Sequence, residues 1–306
     1  MMAQPSDPGC SGSPLTPMPG ADRGSGEGEA PTGDLSPTGE LQVRWLGHST
    51  AVVDLDGSRV LTDPVLRDRV GHLRRRAGSS DHGTPVDVVT VSHLHHDHLD
   101  LPSLRLLPAD VPVVVPRGAG RLVGNAVAGE VVEMVVGDTV GVGELTITAV
   151  PADHHPGRFL SRTRAEPLGF VIEGPSGTVY FPGDTDLHPV MTDLPAPDVA
   201  LLPIWGWGPT LGSHHLDPIR AGQAAELLRA RSVLPVHWGT FAPVGLGRRP
   251  DGWFDRPVRR FGEEMQRRAP EVALHLVPPG SPAVAIGPDP LRLPQAVPDE
   301  EHDHGI

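Results

Sequence analysis

The chain has no lysine and a single cysteine, Cys10; all 25 of its basic residues are arginine. One cysteine excludes a disulfide framework and any cysteine-based metal site. Aromatic residues make up only 4% of the sequence, so a core must be built from Val, Leu, Ala and Ile, which the 38% apolar content allows. The same scarcity leaves few rings to stack on nucleic-acid bases. Positive charge is also short. The net charge of −13 argues against broad electrostatic binding to nucleic acid or to an anionic membrane. A small anionic substrate stays admissible, because bound metal can reverse a local field. No apolar run approaches the ~20 residues of a membrane span. The opening MMAQPSDPGCSGSP lacks the basic and apolar regions of a signal peptide. These absences lead to the expectation of a cytoplasmic protein with no transmembrane segment and no nucleic-acid partner. They leave its oligomeric state open.

What is abundant is Gly and Pro, 37 and 36 residues, concentrated at the ends and in turns. Residues 1–40 are rich in Pro, Gly, Ser and Thr and offer too little apolar surface to offset chain entropy; they are expected to be a disordered extension. Residues 286–306, ending in EEHDHGI, are expected to form a flexible acidic tail. Between them the pattern is rich in strands. Apolar, β-branched runs predict strands at 41–47, 49–57, 58–64, 86–92, 111–116, 145–151, 168–174, 178–184, 199–205 and 232–238. Helices are expected at 102–107, 119–126, 217–231 and 257–268. The third is the clearest, with Asp217 as N-cap, Pro218 in the first turn and an Ala/Leu stripe. One two-sheet domain over 41–285 accounts for this order.

The densest chemistry is SHLHHDHLD, residues 92–100, with four histidines and two aspartates in nine positions. It follows an apolar strand and precedes a helix, so it is a loop at the strand's C-terminal end. In extended chain, residues two apart point the same way, so His93 and His95 can grip one ion. Asp97 and His98 lie past the turn and can grip a second. Other strand ends offer further ligands: His154 or His155 in PADHHPGR, Asp184 in FPGDTD and His237 in PVHWGTF. A lone histidine at a strand end is usually structural. Three such positions joined to H-x-H-x-D-H point to a metal site built of nitrogen and oxygen donors.

The set H-x-H-x-D-H, a later His, the Asp of GDT and a late His resembles the metallo-β-lactamase superfamily. RWLGHST (44–50), LTDP (61–64), SHLHHDHLD, PADHHPGR, FPGDTD, GSHHLDP (212–218) and HWGTF (237–241) are similar to one branch of it. That branch holds N-acyl-phosphatidylethanolamine phospholipase D and L-ascorbate-6-phosphate lactonase-like hydrolases, and the likeness to the phospholipase is the closer. The resemblance implies an α/β fold, the αββα four-layer sandwich. It implies two divalent ions, zinc by default for such donors, with manganese or iron tolerated. His93, His95 and His154 would hold one, Asp97, His98 and His237 the other, and Asp184 would bridge them; His154 is chosen over His155 because it follows PAD. Asp97 and His215 are the implied catalytic residues, His215 being preferred to His214. Asp63 is either a carboxylate behind a ligand histidine or an ordinary turn aspartate before Pro64. His48 either lines the site or packs beside it. The chain carries PIWGW (203–207) where the phospholipase has a different loop, and no apolar groove is legible in the sequence.

The activity this implies is metal-dependent hydrolysis, by water shared between two ions and ionised to hydroxide, of a phosphodiester or ester/lactone bond in a small molecule or lipid. Asp97 would orient that water and His215 would serve the oxyanion or the leaving group. A nuclease of the same superfamily is disfavoured by charge and by the few aromatics. A non-catalytic metal-binding protein is disfavoured by the complete ligand set.

Overall fold

The computed structural model describes residues 40–78, 83–208, 211–246 and 252–287. The extension expected at 1–40 and the tail expected at 286–306 lie almost wholly outside the described residues. In chain order the first strands are β1 (Leu41–Gly47), β2 (Thr50–Leu55), β3 (Ser58–Thr62), β4 (Arg69–Val70), β5 (Leu73–Arg75), β6 (Val88–Thr90), β7 (Val113–Pro116) and β8 (Val131–Met134). Then come β9 (Thr139–Val142), β10 (Leu145–Pro151), β11 (Leu168–Gly174), β12 (Gly177–Phe181), β13 (Val199–Pro203), β14 (Ser232–Val236), β15 (Phe241–Pro243), β16 (Ala273–Leu274) and β17 (Val284–Ile286). The helices are α1 (Leu101–Leu104), α2 (Gly120–Gly124), α3 (Val190–Asp193), α4 (Pro218–Leu228) and α5 (Arg256–Arg268).

Two seven-stranded sheets carry the fold, in the orders β17-β1-β2-β3-β6-β7-β8 and β16-β14-β13-β12-β11-β10-β9. Each is antiparallel in one half and parallel in the other: β3, β6, β7 and β8 run parallel in the first, and β12, β13, β14 and β16 in the second. A third, small sheet orders β15-β5-β4.

The period-2 alternation of strand side chains explains the layers. In the first sheet Val53, Val60, Val88 and Val114 share a core with Ile147, Phe170, Ile172 and Val179 of the second. Their sequence neighbours Val52, Leu61, Val89, Val113 and Val115 turn the other way and meet Leu104 of α1, Val123 of α2 and Ala119, the residue that precedes α2. Beyond the second sheet, Ala221, Ala224, Ala225 and Leu228 of α4 and Val258, Phe261 and Met265 of α5 are buried. The result is the α/β, αββα sandwich, with a core of Val, Leu, Ala and Ile around a few large rings.

Several elements are shorter than the sequence pattern suggests. The helix expected over 217–231 begins as read, with the Asp217 carboxylate accepting the Ile219 and Arg220 amides at 2.8 and 2.9 Å. It ends at Leu228, because Arg229 adopts left-handed backbone at φ 52°. The helices expected at 102–107 and 119–126 shrink to Leu101–Leu104 and Gly120–Gly124. The strand expected over 86–92 pairs only at Val88–Thr90. The two residues after it run on toward the histidine loop, the Val91 amide donating to the Val114 carbonyl and the Ser92 carbonyl accepting from the Leu168 amide, each at 2.9 Å.

Candidate metal centre

The histidine loop leaves β6 and is fixed at both ends. At its start the Ser92 amide donates to Asp63 Oδ1 at 2.6 Å. At its end the His98 and Leu99 amides both donate to the His95 carbonyl, at 3.1 and 2.8 Å, and Asp100 caps α1. Arg158, from the segment after β10, donates through Nη1 to the Leu94 and Leu99 carbonyls at 2.7 and 2.9 Å. The turn thus sends His93 and His95 to one side and Asp97 and His98 to the other.

Three other strand ends complete the locus. His154 follows β10, Asp184 follows β12 and His237 follows β14. Gly183, at φ 62°, lets Asp184 approach: a Cβ there would lie 2.4 Å from Ser92 Cβ. The ligand atoms of His93, His95 and His154 lie within 4.8 Å of one another, as do those of Asp97, His98, His237 and His48. Asp184 stands between the groups. Its Oδ2 lies 3.2 Å from His98 Nε2 and 4.0 Å from His154 Nε2, and its Oδ1 lies 3.2 Å from His237 Nε2. All seven residues expected to hold metal therefore meet at one place.

The hydrogen bonding behind the imidazoles suits cations. Nδ1–H of His98 donates to Asp63 (2.7 Å), that of His154 to the His214 carbonyl (2.8 Å) and that of His237 to the Trp205 carbonyl (2.6 Å). His93 Nδ1–H donates to Ser92 Oγ at 3.0 Å, and Ser92 Oγ–H in turn donates to Asp63. Each ring so fixed presents a bare Nε2 to the centre. His98 Nε2 and His237 Nε2 then face each other at 3.1 Å with lone pairs opposed, a contact only a proton or a cation relieves. His93 Nε2 and Asp184 Oδ1 are buried with no hydrogen-bond partner. Buried groups without partners are costly, so these atoms mark where an ion fits. Asp63 is thus a carboxylate behind a ligand-type histidine, not a simple turn residue.

Burial sets the protonation of most rings. It lowers His93 and His237 well below the usual histidine range, against the pull of Asp184, and holds His154 at about 4. At His98 burial is outweighed by the Asp184 and Asp63 carboxylates, which raise it. Burial would lift Asp97 and Asp184, but the surrounding imidazoles keep both ionised.

His215 reaches the centre, with Nε2 3.3 Å from Asp184 Oδ2. His214 instead turns its ring to Asp153 at 2.8 Å, and His155 is exposed beside it. His48 lines the site: its Nε2 lies 3.0 Å from Asp97 Oδ2. Sequence reasoning missed Trp207, whose Nε1–H donates to the same Asp97 oxygen at 3.0 Å. It also missed Ser92 and Arg158, whose roles rest on contacts far apart in the chain. Several of these residues sit in left-handed backbone: φ is 53° at His48, 33° at Asp63, 61° at His214 and 64° at His237. Such conformations cluster at functional sites.

The centre opens into a cleft of about 800 Å³. His95, Asp97, Asp184, His215 and His237 form its polar side, while Val70, Leu73, Phe159, Leu160, Trp207 and Leu211 form its apolar side. The apolar groove that the sequence did not reveal is therefore present. It is assembled from the β4–β5 hairpin and two loops, so no single run of sequence carries it. Among the described residues no helix is long and apolar enough to cross a membrane.

Comparison with known proteins agrees with this geometry. Residues 58–238 match the family model of the beta-lactamase superfamily domain. A UPF0173 metal-dependent hydrolase of Methanopyrus kandleri is 33% identical over 257 residues, 78% of this chain and 98% of the relative. An N-acyl-phosphatidylethanolamine-hydrolyzing phospholipase D of Caenorhabditis elegans is 32% identical over 234 residues, 67% of this chain and 65% of the relative. The solved structure of a metallo hydrolase from Ignicoccus hospitalis superposes with a TM-score of 0.60 at 23% identity, over 81% of this chain and 98% of that one, and bears on the fold. The chain belongs to the metallo-β-lactamase superfamily, and within it to the metal-dependent hydrolases.

Proposed function

We propose that this enzyme is a binuclear hydrolase of phosphodiester or ester/lactone bonds in a small molecule or lipid that carries an apolar group. The observation that carries this reading is Asp184, whose Oδ2 lies 3.2 Å from His98 Nε2 in one ligand cluster and 4.0 Å from His154 Nε2 in the other. In this reading His93, His95 and His154 hold one divalent ion, Asp97, His98 and His237 the other, and Asp184 is shared. Zinc suits the donor set, and manganese or iron fits it too. The C. elegans relative, named for hydrolysis of a phospholipid phosphodiester, supports that arm of the proposal.

When bound, the two ions would lower the pKa of a shared water from ~15.7 toward ~7 and stabilise charge developing on the substrate oxygen. The protein's own groups do the rest. Asp97, fixed through Oδ2 by His48 and Trp207, would orient the attacking water while serving as a ligand. His215 stands at the cleft side of Asp184, its Nε2 3.3 Å from Oδ2, where an imidazole N–H can serve a leaving oxygen. The apolar wall takes the hydrophobic part of the substrate and excludes water from around the bond.

Reconstituted protein should be assayed in parallel on bis-p-nitrophenyl phosphate, a lactone and N-acyl-phosphatidylethanolamine. Metal-dependent turnover of at least one supports the proposal. Metal-loaded protein inert on all three would sink it.

A further inference from the structure

Asp97 is held from two sides by groups of unlike character. His48 comes from the turn between β1 and β2 and is almost wholly buried. Trp207 comes from the loop after β13, and its indole N–H donates to the same oxygen, Asp97 Oδ2, at 3.0 Å. A hydrogen bond to an ionised carboxylate is among the stronger ones a neutral donor makes. The rest of the indole is elsewhere engaged. It meets the His72 ring edge to face at 4.9 Å and packs on the small cluster of Val65, Val70, Leu73 and Phe241. It also forms part of the apolar wall of the cleft. One side chain is thus both substrate wall and hydrogen-bond donor to the carboxylate.

Building on the proposed hydrolytic reading of this site, we infer that Trp207 is a positioning residue that couples filling of the apolar cleft to the orientation of Asp97. A substrate with an apolar group adds to the packing that already seats the indole against the β4–β5 hairpin and so firms its N–H on Oδ2. A substrate without one leaves the bond to that packing alone. The selectivity this produces lies in kcat, since the contact aligns the reacting groups and does more than hold the ligand. His48 supplies the constant half of the support and Trp207 the half that depends on substrate.

The test compares the full chain with Trp207→Phe, which keeps an aromatic wall but deletes the donor. Elemental analysis after reconstitution comes first. Equal metal content in the two proteins shows that the variant folds, and a wild type without metal overturns the site reading itself before any kinetics. Metal titration followed by indole emission should then give a response in the wild type that is diminished in Trp207→Phe, the remainder coming from Trp205 and Trp238 beside His237. Kinetics use methyl and hexyl p-nitrophenyl phosphate diesters, with p-nitrophenyl acetate and hexanoate as the ester pair. Wild-type kcat should rise on the order of tenfold from the short to the long chain. Trp207→Phe should lose that rise in kcat yet keep the lower KM for the long chain. A Trp207→Phe variant with the wild-type rise in kcat, or with an undiminished emission response, overturns the inference.

Discussion

His237 and His48 are joined twice: the His237 amide donates to the His48 carbonyl at 2.9 Å, and their imidazoles lie 3.8 Å apart, centroid to centroid. One sits between β1 and β2 of the first sheet, the other at the end of β14 in the second. The pair therefore pins the two sheets together at the floor of the metal centre. The backbone link does not depend on the His48 ring, but the contact to Asp97 does. His48→Phe should keep a ring over His237 and lose only that contact. His48 Nδ1 is buried without a partner, so the change also removes a desolvated polar atom. We expect an unchanged or higher melting temperature with turnover reduced about tenfold or more. A variant with normal turnover would show that His48 does not orient Asp97.

Asp184→Asn keeps size and shape but replaces a carboxylate oxygen by a nitrogen with no lone pair for metal. Hydrolysis should fall by about a hundredfold or more, comparable to ~3 kcal/mol of transition-state stabilisation, with at least one metal weakened. Asp186 is a different case despite its place in the same GDTD. It pairs with Arg220 and accepts the Leu187 amide at 2.6 Å, facing away from the histidines. Asp186→Asn should lower stability by up to about 1 kcal/mol and leave turnover near normal. The reverse pattern in the two variants would refute the assignment of Asp184.

Arg158 holds the metal loop from behind through the Leu94 and Leu99 carbonyls. Arg158→Met keeps the aliphatic stem and deletes both donors. Metal affinity, read by competition with a chelator, should weaken by about tenfold or more, as is usual for groups that orient ligands. Equal affinity in variant and wild type would leave Arg158 a role in surface packing alone.

Much of the site could be read from the sequence because its chemistry is crowded. Imidazoles and carboxylates at four strand ends have no common structural reason to be there. The strands at 41–47, 145–151 and 168–174 have the bounds expected of them, each being a long apolar run stopped by Gly or Pro. Other elements were hidden for physical reasons. β4 and β5 contain three arginines to two apolar residues and are strands only because they pair with each other and β15 pairs with β5. β16 and β17 are two and three residues long, and their partners supply their register. Trp207 lies 110 residues from Asp97, and no periodicity reports a contact at that separation. The apolar cleft is likewise a property of loops brought together by the sheets.

The acid response of the metal-free chain gives a further check. Burial holds the folded His154 at about 4, whereas an unfolded histidine titrates near 6.5. Between those values the unfolded chain takes up a proton that the folded one refuses. His154 therefore favours the folded state fully above about pH 6.5, and that contribution is lost as pH falls toward 4. His98, raised by its carboxylates, works in the opposite sense, so the comparison should be with His154→Gln. Denaturant midpoints of the metal-free proteins should fall more steeply with acid in the wild type than in the variant. Parallel curves would contradict the shift.

The left-handed backbone at His48, Asp63, His214 and His237 has a consequence outside catalysis. Each such residue costs about 1–3 kcal/mol, and in the same few ångströms the buried Nε2 of His93 has no partner. These costs are gathered at the centre itself. An ion that binds only the folded form adds RT ln(1 + [L]/Kd) to stability, about 2.7 kcal/mol at a hundredfold excess over Kd. In a cell, the amount of this enzyme that survives unfolding and proteolysis would then follow metal supply. Metal starvation would remove the protein as well as its activity, and replenishment would restore both only as fast as new chains are made.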